Sequence, residues 1–166
     1  MNVALQRRIE DGVGHYTRPQ HAAATMAAMA DDALELLASL SLFADLGGPQ
    51  LEAISHTFEE TAFAAGQRIL RQGITGSNFY VVVDGEASVT IDGEERASIG
   101  RGDFFGEMSL LLGSAPTADV TARTPLRCLV LAGPDLEGFL AKYPSVTYRM
   151  LVAMARRLRA ANQHSA

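Results

Sequence analysis

The chain has 166 residues with 14 basic and 19 acidic side chains, a net charge of -5. A length near that of one ordinary domain, 48% hydrophobic and 20% charged residues exclude a mostly disordered chain, and a net negative charge argues against a protein that works mainly by gripping nucleic acid. The single Cys128 excludes an internal disulfide and any cysteine-cluster zinc site. There are thirteen Arg and one Lys in an Ala-rich chain, which reads as the codon usage of a GC-rich, bacterial genome. Apolar runs fall well short of the roughly 18–20 residues of a membrane helix, and no signal-peptide pattern opens the chain, so a cytoplasmic location is expected.

Residues 1–20 have no clear period and read as a loose arm or a short helix that needs a partner. Residues 21–41 turn to Ala, Met and Leu; Met26, Met29, Ala33, Leu36, Leu37 and Leu40 repeat every three or four positions, one face of a helix that packs on its own domain or docks on a partner. A short helix is expected over Gln50–Phe58. Nine of the fifteen glycines then lie between Gly66 and Gly113, among β-prone runs at Phe58–Phe63, Arg68–Arg71, Phe79–Val83, Ala87–Ile91 and Arg96–Ile99. Asp84-Gly85 and Asp92-Gly93 separate three of them and read as hairpin turns, because Asp-Gly tolerates positive φ. Two more strands are expected near Asp119–Ala122 and Leu126–Leu131. Such short strands with regular turns indicate an antiparallel β-roll, jelly-roll-like. Helices return at Pro134–Lys142 and from Ser145, a candidate N-cap, to about Asn162, with Thr147, Leu151, Met154 and Leu158 on one face. The fold class is mainly β with flanking helices: N-terminal helices, a roll, then two C-terminal helices.

The most informative stretch runs from Gly100 to Val120, glycine-rich at first, then able to form a helical turn over Gly106–Leu112 and ending in a β run. Phe105-Gly106-Glu107-Met108-Ser109-Leu110, Asn78 to Gly85, and Thr117-Ala118-Asp119-Val120, with the two closing helices, resemble the cyclic nucleotide-binding domain family. That family includes the catabolite activator protein, the protein kinase A regulatory subunits and the cyclic-nucleotide-gated channels. The resemblance covers about residues 42–162, leaving 163–166 as a tail.

The resemblance implies a phosphate-binding cassette formed by Phe105, Gly106, Glu107, Met108, Ser109, Pro116, Thr117 and Ala118. Gly106 and Glu107 would meet the ribose of cAMP or cGMP, with Glu107 accepting from its 2′-hydroxyl. The N–H groups of Ser109 and Ala118 would face the phosphate, and Thr117 would offer a hydroxyl. The last helix would close over the base. The family's cassette arginine falls at Pro116, which supplies neither charge nor N–H. A hydrogen bond to a charged partner contributes about 1.5–3 kcal/mol, so its loss weakens phosphate binding roughly 10- to 150-fold unless Arg101 or Arg123 substitutes.

Two functions follow: a non-enzymatic sensor of a cyclic nucleotide or other small ligand, with no cofactor, acting on an effector protein; or a domain whose pocket has lost that function and serves protein interaction or dimerisation. A homodimer through the last helix is one arrangement, as in the family's bacterial regulators. No helix-turn-helix follows the last helix, so no DNA-binding domain is expected, and no membrane segment. Cys128 reads as core packing. His15, His21, His56 and His164 are too scattered for a metal site, and no His neighbours Ser109 or Thr117 to make a nucleophile. Asp103 beside Glu107 could be a carboxylate pair, but lacks a partner for acid–base work. The arginines Arg149, Arg156, Arg157 and Arg159 read as a solvated face, ahead of a contact with a partner or nucleic acid.

Overall fold

The computed structural model describes residues 31–164, and the account concerns the compact unit that begins at Leu34. The expected arm over 1–20 and most of the helix over 21–41 lie outside the described residues. Helix α1 occupies residues 31–39 and is followed by a 3-10 turn, Ser41–Phe43. Then come α2 (Gly48–Ser55), β1 (Glu59–Phe63), β2 (Arg68–Leu70), β3 (Phe79–Asp84), β4 (Ala87–Ile91), β5 (Glu94–Ile99) and β6 (Phe104–Phe105). The chain continues through α3 (Glu107–Leu112), β7 (Asp119–Ala122), β8 (Leu126–Leu131), α4 (Leu136–Lys142) and α5 (Pro144–His164).

The eight strands form two antiparallel four-stranded sheets, ordered β1-β8-β3-β6 and β2-β7-β4-β5. This is the expected jelly-roll-like β-roll with flanking helices. Strand β3 explains why the run Phe79–Val83 is apolar without alternation: both of its faces are covered. Phe79, Val81 and Val83 join Phe43, Ile54, Phe139, Val146 and Met150 in the core under the helices. Tyr80 and Val82 point the other way, joining Phe105, Val120, Leu126 and Cys128 between the sheets.

Three details differ from the sequence reading. Asp92-Gly93 is a hairpin turn with positive φ at both residues and β4 paired to β5, as expected. Asp84-Gly85 is not a hairpin: β3 and β4 lie in different sheets, so the chain changes layers there. Gly85 has φ 92°, and a Cβ on it would sit 2.2 Å from the Pro125 carbonyl oxygen, so the corner needs glycine for closeness as well as for φ. Phe58 does not begin a strand. It is an aromatic hub, with ring centroids 6.0 Å from Phe43, 6.3 Å from Phe79 and 5.2 Å from Phe139. Helix α5 starts at Pro144, so Ser145 lies within it rather than capping it.

Candidate functional site

Strand β6 delivers the chain to the site. Phe105 is buried between the sheets, its ring stacked on Tyr80 at 4.6 Å. Gly106 then turns the chain with φ 88°, and a Cβ there would lie 2.1 Å from the Asn78 carbonyl oxygen. Only glycine permits that approach, and it sets the direction in which α3 leaves the sheet.

The two halves of the proposed cassette are held by one connection, residues 71–78 between β2 and β3. Ser109 is buried, and its hydroxyl lies 2.6 Å from that of Ser77 and donates to the Gly106 carbonyl. The Gly73 N–H donates to the Pro116 carbonyl at 2.8 Å, and the Gln72 N–H to Asp119 Oδ1 at 2.8 Å. Pro116 is buried, Thr117 exposed and Ala118 half-buried. Met108 is half-exposed on the outer face of α3. The backing role of residues 71–78 was not legible in the sequence, because it arises from contacts between segments about 30 to 47 residues apart.

Glu107 is only 3% exposed. Arg157 Nη1 on α5 donates to its Oε1 at 3.1 Å, while Arg157 Nη2 donates to the Phe104 carbonyl at 2.5 Å. The guanidinium also lies over the Phe104 ring, 4.4 Å from its centroid. Burial pushes the Glu107 carboxyl above the ordinary carboxylate value, and the charge of Arg157 opposes that shift.

Arg157 therefore does not belong to a solvated face. The periodicity held the signal: Val146, Met150, Ala153 and Met154 pack inward, and Arg157 is the next position on that stripe. Leu151 and Leu158, expected on the same face as Met154, are each 64% exposed.

The two candidate substitutes for the missing arginine are engaged elsewhere. Arg101 donates to the Val83 carbonyl and the Ser39 hydroxyl. Arg123 pairs with Glu86 and Glu95. Asp103 forms no pair with Glu107; its Oδ2 accepts from the Gly100 N–H. Burial pushes the Cys128 thiol up to about 12, consistent with a packing role.

Residues 60–143 match the family model of the cyclic nucleotide-binding domain. Over 121 residues the chain is 30% identical to a cGMP-dependent protein kinase of Eimeria tenella, spanning 73% of this chain and 12% of that protein. Among solved structures, it resembles the catabolite activator protein of Thermus thermophilus with a TM-score of 0.64 and 30% identity, over 74% of this chain and 60% of that one. It also resembles PKAR CBD2 bound to Sp-2Cl-cAMPS with a TM-score of 0.71 and 18% identity, over 84% and 93%. With half of its length matched to that model, the chain belongs to the cyclic nucleotide-binding domain family.

Proposed function

We propose that the chain is a non-enzymatic, cytoplasmic regulatory module. It takes a cyclic nucleotide, or a related small ligand, between residues 105 and 118 and passes occupancy to α5. The observation that carries this reading is the Arg157–Glu107 contact, because it ties the cassette carboxylate to the last helix. A ribose hydroxyl donating to Glu107 competes with or reinforces the pull of Arg157. Gly106 admits the sugar. The N–H groups of Ser109 and Ala118, with the exposed Thr117 hydroxyl, meet the phosphate. The name of the Eimeria relative, a cGMP-dependent kinase, supports a cyclic nucleotide as the ligand class. The shift of α5 is bounded by the ligand's differential affinity for its two positions.

The output is read by an effector protein or by a second copy of the chain. Leu151, Ala155 and Leu158 are exposed along α5 at spacings of four and three, the a/d pattern of a helix pair.

A second reading has its own support. With a buried proline at position 116 and both neighbouring arginines committed elsewhere, the phosphate has no guanidinium partner in the cassette loop. The domain then acts as an interaction module without a cyclic nucleotide.

Calorimetric titration with cAMP and cGMP of the native protein and of Pro116→Arg separates the two readings. Binding by the native protein supports the sensor. Binding only by Pro116→Arg supports the interaction module with an otherwise intact cassette. Binding by neither overturns the cassette assignment.

A further inference from the structure

A cleft of about 470 Å³ lies between α5, the Ser41–Phe43 turn and the loop before β6. That volume lies within the range of about 300–1,000 Å³ common for small-molecule sites. Leu42, Phe104, Val152 and Ala153 form its apolar base.

Two exposed groups on α5 line it. Tyr148 is 67% exposed, so its ring is free to stack. Arg156 also lines the cleft, and its side chain has no hydrogen bond or ion pair among the described residues. Eight residues of helix separate them, roughly 12 Å.

The other charges of the cleft are matched. Asp45 and Arg149 form a two-bonded pair at 2.5 and 2.9 Å, and Arg157 is held by Glu107 and Phe104. Asp103, on the opposite wall, has one carboxylate oxygen engaged by the Gly100 N–H. Among the described residues, the unmatched features are thus an exposed aromatic ring, a guanidinium and a carboxylate oxygen able to accept.

We propose that this cleft is a second ligand site, distinct from the cassette. Its ligand is a small aromatic anion that also carries an N–H or O–H donor. The ring lies along Tyr148 and Val152, the acid group meets Arg156, and the donor meets Asp103. A nucleoside monophosphate and an aromatic amino-acid derivative both have this chemistry. The proposal does not depend on what the cassette binds.

The test is amide chemical-shift mapping of the full chain with 5′-AMP in one arm and N-acetyl-tryptophan in the other. In at least one arm, saturable shifts are expected at Gly102, Asp103, Val152 and Arg156, and the responding arm identifies the source of the ligand. Arg156→Gln, at an exposed side chain, should weaken that binding at least about tenfold, the lower range for a charged hydrogen bond. Arg159→Gln, outside the cleft, should not. Shifts confined to Glu107, Ser109 and Ala118, no saturable shift in either arm, or unchanged binding by Arg156→Gln would overturn the proposal.

Discussion

Arg157 reaches from α5 to the buried carboxylate of Glu107, with Nη1 3.1 Å from Oε1, and with its second nitrogen holds the Phe104 carbonyl. One side chain thus joins the last helix to both β6 and α3. Replacing it with methionine leaves a buried acid without its cation. Arg157→Met should lower unfolding stability by about 1–3 kcal/mol at neutral pH, read by urea denaturation. It should also uncouple any ligand-induced change in α5 from ligand binding.

The same carboxylate sets a pH dependence. Glu107 has a folded value raised above its ordinary 4.5 by burial. The folded state therefore holds this proton more tightly than the unfolded chain does. The resulting stabilisation is complete below 4.5 and is lost as pH rises through the folded value. Asp45 and Glu86, lowered by their arginine and serine partners, act in the opposite sense. The stability difference between wild type and Glu107→Gln isolates Glu107. Wild type should gain on the variant as pH falls toward 4, and urea titrations at a series of pH values check it.

Gly106→Ala places a methyl group against the Asn78 carbonyl in a left-handed conformation. The backbone strain alone is of order 1–3 kcal/mol, before the clash is relieved. Thermal unfolding should drop by several degrees, and any cassette ligand should bind more weakly, because α3 must shift.

Phe58→Ala removes the ring around which Phe43, Phe79 and Phe139 are arranged. A loss of about 3–5 kcal/mol is expected from chemical denaturation. Cassette affinity per folded molecule should be unchanged, since the hub lies on the helix side of the sheet.

The exposed stripe on α5 predicts self-association. Light scattering should find a dimer, and a Leu151→Glu, Leu158→Glu double variant should shift it toward monomer with little change in unfolding stability. Both leucines are 64% exposed, so the protomer core does not need them.

Much of the architecture was legible locally. The apolar run at Phe79–Val83, the Asp92-Gly93 turn and the two closing helices each carry their own pattern, because side-chain period and turn chemistry depend on near neighbours. Phe105-Gly106-Glu107 pointed to the proposed cassette by another route, its resemblance to the family. Asp84-Gly85 shows where that reasoning stops. The same dipeptide serves as a hairpin turn or as a corner between sheets, and only the pairing of β3 with β8 and of β4 with β7 decides which. Phe58 was likewise assigned to a strand by its residue type and placed in the aromatic hub by its neighbours.

By itself, the sequence determined a β-roll with flanking helices, which follows from the order of residue types. The proposed cassette, and the proline where an arginine is expected, rest on its resemblance to the family. Only the tertiary structure decided that Arg157 belongs to Glu107, that Arg101 and Arg123 are occupied elsewhere, and that residues 71–78 back both Ser109 and Pro116. Charges find partners through distances set by packing, and packing joins residues that the chain holds far apart.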